Sequence, residues 1–380
     1  MLQKVSIQNF KSLKDVTLEL QKVNLLIGPN NSGKSNFLKA LEKYSILLDE
    51  PKASFLLIKL DDYFIKSKTS KMSFYFSLID DKQIVRNNEI ILQDSENGSK
   101  LLRQNFSIDD NYKHDDFFDD EVDRIDRHKY VNVSTFPFFK NIFNNLLIYK
   151  PDPNKLKNPF PILPNQSFVN SDASNLIAFF DILRDEYPEN FKAIENDLNK
   201  CIPELSGLRF ENVEIKKDDD LFKIYRNKTF KRLGLYDKNN KLTYWADELS
   251  EGTLYFLALL CIVYQPNPPK LLLLEEPEKG IHPRRIKEVI DFIFQLAEDK
   301  DIQVIMTTHS ERVLDEFEDI PEAVFIFDKD EEGATQVKNL LRDIIEPSNK
   351  LMEENNVPKI KFTESLGSHW VTGFIGGVPR

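Results

Sequence analysis

Cysteine is scarce in this chain: Cys201 and Cys261 are the only two in 380 residues, and neither has a second cysteine nearby in sequence. That excludes a disulfide framework and a CxxC-type zinc site, and both read as ordinary thiols. Long hydrophobic runs are missing too. The most apolar stretches, residues 254–263 and 271–274, fall far short of the roughly 20 residues that span a bilayer, so no transmembrane helix and no membrane partner are expected. The opening Met1-Leu2-Gln3-Lys4-Val5-Ser6-Ile7 alternates as a strand does and lacks the apolar centre of a secretory signal, which makes the cytoplasm the expected location. Positive charge is in deficit, with 51 Lys and Arg against 62 Asp and Glu, a net charge of -11. This argues against non-specific nucleic-acid binding by the whole surface, which draws its strength from neutralising phosphates.

A local basic patch survives at residues 222–241, where Arg226, Lys228, Lys231 and Arg232 interleave with Tyr225, Phe230 and Tyr236. Its plainer reading is a solvated hairpin face. Residues 115–126, DDFFDDEVDRID, carry the opposite bias and read as an exposed acidic loop or helix edge. With 41% hydrophobic and 30% charged residues, the composition is globular and can bury one large core or two medium ones.

The first fifty residues read strand, turn, strand, glycine loop, helix. Residues 5–10 and 16–20 alternate, 23–27 form an apolar strand, and 36–48 have helical spacing. Runs at 72–79 and 83–92 suggest an antiparallel β subdomain within residues 1–110. Residues 111–207 read as a helical and irregular insertion: Pro151, Pro153, Pro159, Pro161 and Pro164 punctuate it, and helical periodicity returns at 175–183 and 191–198. Residues 208–380 begin with strands and turns. They then alternate, with helices near 252–263, 284–296 and 310–316 and strands at 270–274, 303–306 and 323–327. Strands alternating with helices predict an α/β fold with a mostly parallel sheet covered on both faces.

Four motifs carry chemistry. Gly28-Pro29-Asn30-Asn31-Ser32-Gly33-Lys34-Ser35 has P-loop spacing between an apolar strand and a helix. Backbone N–H groups of such a loop wrap phosphates, Lys34 reaches the β and γ oxygens, and the Ser35 hydroxyl ligates Mg²⁺. Leu271-Leu272-Leu273-Leu274-Glu275-Glu276 is an apolar strand ending in two carboxylates. Glu275 is expected to hold the metal shell with Ser35, and Glu276 to orient or deprotonate the attacking water. Leu249-Ser250-Glu251-Gly252-Thr253 opens a helix. Alone it is a capping sequence, but its place between the P-loop and the two-carboxylate strand suggests an anion site. Thr307-Thr308-His309-Ser310 also joins a strand to a helix, with His309 placed to touch a γ-phosphate.

In that order these motifs resemble an ABC-type ATPase head of the SMC, RecF and OLD kind. Ile7-Gln8-Asn9-Phe10-Lys11-Ser12-Leu13 resembles the N-terminal strand of such heads, and Glu276-Pro277-Glu278 with Gly280-Ile281-His282-Pro283 resembles the OLD-like branch. Ser171-Asp172-Ala173-Ser174-Asn175-Leu176 and residues 370–379 look like stand-alone AAA-family ATPases of prokaryotic defence loci, such as Septu and PARIS-like systems. The resemblance implies a homodimer that sandwiches two ATP molecules and can assemble further, with Mg²⁺ as cofactor. Residues 28–36 of one subunit would meet Ser250 and Gly252 of the other. Glu275 in place of the commoner aspartate, and Glu251 in place of a small residue, imply slow hydrolysis or an ATP-locked resting state.

The insertion lacks sustained heptads, so no SMC rod is expected. Too few residues follow Asp328-Lys329-Asp330 for a Toprim nuclease domain, and Glu331-Glu332-Gly333 favours a hairpin turn there. The leading expectation is an ATPase sensor or scaffold serving a separately encoded effector, a nuclease, in anti-phage defence. The alternative is a RecF-like clamp that grips DNA when ATP closes the dimer. A transporter's ATPase subunit is disfavoured by the long interval between P-loop and LSEGT.

Overall fold

The computed structural model describes residues 1–49, 71–95, 98–108, 112–117, 136–144, 146–164, 166–214, 223–225, 228–355 and 365–378. Residues 118–126 of the acidic run, Arg226 of the basic patch and Pro379 lie outside them. Two compact units are built from discontinuous segments: Met1–Ile148, Lys270–Glu276 and Ile290–Arg380 form the first, Tyr149–Pro269 and Pro277–Val289 the second.

In the first unit, Val23–Ile27 lies inside a six-stranded sheet whose first five strands, in order, are Thr335–Asn339, Val324–Lys329, Val23–Ile27, Gln303–Thr307 and Leu271–Glu275. All five residues of Val23–Ile27 are buried, as an interior strand of a doubly covered sheet requires. It runs parallel to Gln303–Thr307 and Val324–Lys329, and Leu271–Glu275 runs parallel to Gln303–Thr307. The carboxyl ends of three neighbouring strands therefore carry Gly28, Glu276 and Thr308 at one edge, where ligands of open α/β sheets sit. Val324–Lys329 and Thr335–Asn339 pair antiparallel, and Asp330 closes the turn by accepting from the Glu332 and Ala334 amides, 3.0 and 2.8 Å. The expected hairpin turn at 331–333 is therefore present.

A second sheet in this unit is antiparallel throughout, in the order Leu13–Glu19, Leu2–Phe10, Lys71–Ile79, Val85–Ser95, Gly98–Ile108, Tyr112–Phe117. Leu2–Phe10 pairs with Leu13–Glu19 on one side and Lys71–Ile79 on the other. Both N-terminal strands thus belong to the antiparallel layer, a partnership that alternation alone does not specify. Leu2, Val5, Ile7 and Phe10 point inward. The helix Lys34–Asp49 supplies Phe37, Leu38, Leu41 and Tyr44 to one core with Val16, Phe74, Phe76, Leu26 and Phe327. Tyr44 lies against Phe76 at 3.8 Å and donates to Asn88 Oδ1 at 2.6 Å, so the helix that leaves the P-loop is held by packing and by a buried hydrogen bond.

The second unit packs the helices Leu176–Glu186, Pro188–Cys201 and Glu251–Val263 with the strands Leu205–Val213, Phe230–Asp237 and Leu242–Trp245. Phe230–Asp237 is paired on both sides, and the two-residue strand Phe160–Pro161 meets its start. Every residue from Gly252 to Val263 is buried, the signature of a helix that is apolar all round. Among the described residues no helix is long and apolar enough to cross a membrane.

Candidate functional site

The loop after Val23–Ile27 owes its shape to two glycines. Gly28 has φ +141°, and a Cβ there would lie 2.1 Å from the Phe327 carbonyl oxygen. Gly33 has φ +112°, and a Cβ would lie 2.1 Å from Thr335 Oγ1. Gly28 admits no side chain without moving the strand of Phe327, and Gly33 none without displacing the Thr335 and Ser12 side chains. Asn31 adds a third left-handed residue at φ +66°. Lys34 is buried, 4% exposed, and its ammonium donates to the Gly28 and Pro29 carbonyls at 2.7 and 3.0 Å, so it lies along the loop it follows.

A polar clamp holds the loop from behind. Thr335, fully buried, donates from Oγ1 to the Ser32 carbonyl at 2.8 Å and shares a hydrogen bond with Ser12 Oγ, also 2.8 Å. Asn36 Nδ2 donates to Ser12 Oγ at 2.9 Å, and the Thr335 amide donates to the Ser12 carbonyl at 2.7 Å. Sequence reading missed this clamp, because Ser12 and Thr335 are 323 positions apart.

Across the loop stand the two carboxylates. Ser35 Oγ donates to Glu275 Oε1. A hydroxyl and a carboxylate in contact suit a hard divalent cation that completes its shell from phosphate and water. Among the described residues no group of three or more His, Cys, Asp or Glu forms an all-protein metal cage. Glu276 takes the left-handed conformation, φ +50°, a state that costs a non-glycine residue about 1–3 kcal/mol and clusters at functional sites. Its amide is held by the Thr307 carbonyl at 3.0 Å. That bend lifts the carboxylate out of the strand's line, and its Oε1 comes 3.7 Å from His309 Nε2.

Asn30, Asn31, Ser32, Gly33, Lys34, Ser35 and Asn36 therefore face Glu275, Glu276, Thr307 and His309 around one cavity of about 320 Å³. Gly28 and Pro29 act from beneath through their carbonyls. Thr307, at the end of its strand, also lines the cavity; the motif that begins with it points to His309 rather than to Thr307 itself.

Ser250 and Gly252 belong to the second unit. Ser250 caps the helix Glu251–Val263, its Oγ accepting from the Thr253 amide at 3.1 Å. The same Oγ accepts from Arg285 Nη1 at 3.0 Å, and Glu251 is paired with Lys157 at 3.2 Å. Glu251 does not stand as an isolated negative charge. In the basic patch, Lys231 pairs with Asp181 at 2.6 Å, and Arg232 pairs with Glu211 while stacking on Trp245 at 3.9 Å. Lys231 and Arg232, two of the patch's seven cations, are thus compensated by carboxylates.

A family model described as "AAA domain, putative AbiEii toxin, Type IV TA system" matches residues 23–315. A curated relative from Helicobacter pylori (strain ATCC 700392 / 26695), named ATP/GTP phosphatase, is 27% identical over 358 residues, covering 83% of this chain and 87% of that protein. The SMC head domain of Pyrococcus furiosus, with an extended coiled coil and bound to the C-terminal domain of ScpA, matches with a TM-score of 0.51 at 13% identity, covering 93% of this chain and 99% of that one. A recombination mediator, RecF with ATPrS, matches with a TM-score of 0.44 at 15% identity, covering 89% of this chain and 98% of that one. With its fold that of an SMC-type head and the family match running from the strand before the P-loop to beyond His309, the chain belongs to this AAA-domain family and is an ATPase.

Proposed function

We propose that the chain hydrolyses Mg-ATP at sites shared between two copies, and that it is the sensor or scaffold subunit of a prokaryotic anti-phage system whose effector, of the nuclease class, is separately encoded. The observation that carries the first part is the cavity in which residues 30–36 face Glu275, Glu276 and His309. The amides of the loop and the Lys34 ammonium receive the β- and γ-phosphates. Ser35 and Glu275 hold Mg²⁺, which when bound neutralises charge developing on the phosphate oxygens. Glu276 accepts the proton of a water as the water oxygen bonds to the γ-phosphorus, and the bond to the bridging oxygen breaks to release ADP. His309 touches the γ-phosphate and steadies Glu276. The extra methylene of Glu275 over an aspartate loosens the metal shell, and turnover is slow.

The likeness to head domains supports a dimer in which Ser250 and Gly252 of one copy close the cavity of the other, the capped helix start offering its amides to the γ-phosphate. The matched family description names a toxin of a type IV toxin–antitoxin system, which supports a role in defence beside a second gene product. The ion pairs of Lys231 and Arg232 weaken the case for DNA at that face, since compensated cations release few counter-ions. Sedimentation of the purified chain with and without a non-hydrolysable ATP analogue tests the sandwich: the analogue should double the mass. A chain that stays monomeric at saturating analogue rules the sandwich out. Co-expression with the neighbouring open reading frame tests the effector, and failure to co-purify with or without ATP removes that part of the proposal.

A further inference from the structure

The glycine-rich tail touches the residue that opens the P-loop and the helix that follows His309. Gly373, Gly376 and Gly377 have φ of +79°, +80° and +69°, a path that side chains rarely take and that folds the tail back on itself. The Trp370 indole N–H donates to the Gly377 carbonyl at 3.0 Å, and Ile375 is buried. A Cβ on Gly377 would stand 2.6 Å from Ile326 Cγ2 and 3.6 Å from Gly28 Cα. Ile326 is in register with Ile27, the residue before the P-loop.

The other end of the tail grips the His309 side. The helix Leu366–Val371 lies on the helix Glu311–Asp315. The Gly367 amide donates to Asp315 Oδ1 at 2.8 Å, and a Cβ on Gly367 would lie 2.6 Å from the Glu311 carbonyl oxygen. Glu311–Asp315 begins two residues after His309, has five residues and no side-chain cap. A helix that short has no stability of its own and takes its position from what it packs against.

We propose that residues 365–378 are a positioning strap of the catalytic site, with Gly377 seating the root of the P-loop and Gly367 seating the helix that places His309. The inference rests on reading the cavity as the ATP site. One segment then sets the distance between the phosphate cradle and the residue facing it. Misplacing a reacting group by about 1 Å can cost on the order of a hundredfold in rate while leaving ground-state binding intact. The two anchors should therefore fail differently.

The test measures ATP Kd and kcat at saturating ATP on the full chain. Asp315→Ala and Gly367→Ala should lower kcat about tenfold or more with Kd within about twofold, the pattern of an interaction felt only in the transition state. Gly377→Ala, and more gently Trp370→Phe, should raise Kd by about tenfold, since the change pushes or frees the loop itself. Val371→Ser, on the exposed side of the same helix, should change neither. Should Gly367→Ala fail to fold, Asp315→Ala decides that arm. A tail that only caps the core would move Kd and kcat together in every variant, and that pattern, or no change at all, overturns the strap. If the unmodified chain binds no ATP, the nucleotide-site reading itself fails, a separate outcome.

Discussion

Replacing Thr335 with valine isolates the clamp behind the P-loop. Valine keeps the shape and the buried position but deletes the hydroxyl that donates to the Ser32 carbonyl at 2.8 Å. Ser12 Oγ, also 2.8 Å from that hydroxyl, keeps its bond from Asn36 but loses the acceptor for its own proton, so the loss falls on the Ser32 carbonyl and on the Ser12 hydroxyl that steadies it. A buried acceptor left without its donor costs about 1–3 kcal/mol. The cost is charged to the conformation in which the loop amides converge, because Ser32 lies between the two positive-φ glycines that shape it. About 1.4 kcal/mol of it appearing as lost cradle raises the ATP Kd about tenfold. Calorimetric titration of ATP into Thr335→Val and Thr335→Ser reads this directly. Serine restores the donor, so its Kd should return to within about twofold of the unmodified chain. Valine binding ATP as tightly as threonine, or serine binding as weakly as valine, would refute the reasoning.

Lys34→Ala removes the lysine that lines the cavity, and nucleotide binding should fall below detection by the same titration. Cys261 is fully buried and burial pushes its thiol well above the ordinary range. It should resist iodoacetamide at pH 8 in the folded chain and react at once in denaturant. Rapid labelling of Cys261 under native conditions would contradict the packing of the helix Glu251–Val263.

The chemistry-bearing motifs were legible because each is local: a glycine loop, a double carboxylate and a Thr-Thr-His run all sit at the end of an apolar strand, and strands of one sheet bring their carboxyl ends together. The α/β class followed from the same alternation. What stayed hidden is long-range. Nothing in residues 2–19 says that their strands join the antiparallel sheet, through the pairing of Leu2–Phe10 with Lys71–Ile79, rather than the parallel one. Thr335 is an unremarked residue after a hairpin turn until it is found beneath Ser32. The left-handed turn at Glu276 has no sequence signal at all, since glutamate seldom adopts it. Glycines 367 and 377 signal only that the backbone comes close to something. What it approaches, a short helix and the P-loop root, emerges from the fold.

The left-handed bend at Glu276 aims one carboxylate at the cavity, and hydrolysis should depend on that group's basicity rather than on its size. Glu276→Gln, which is isosteric and cannot take a proton, should bind Mg-ATP with unchanged affinity, release no phosphate, and accumulate as a nucleotide-bearing dimer in sedimentation. Phosphate release at the unmodified rate by Glu276→Gln would contradict the assignment of the base.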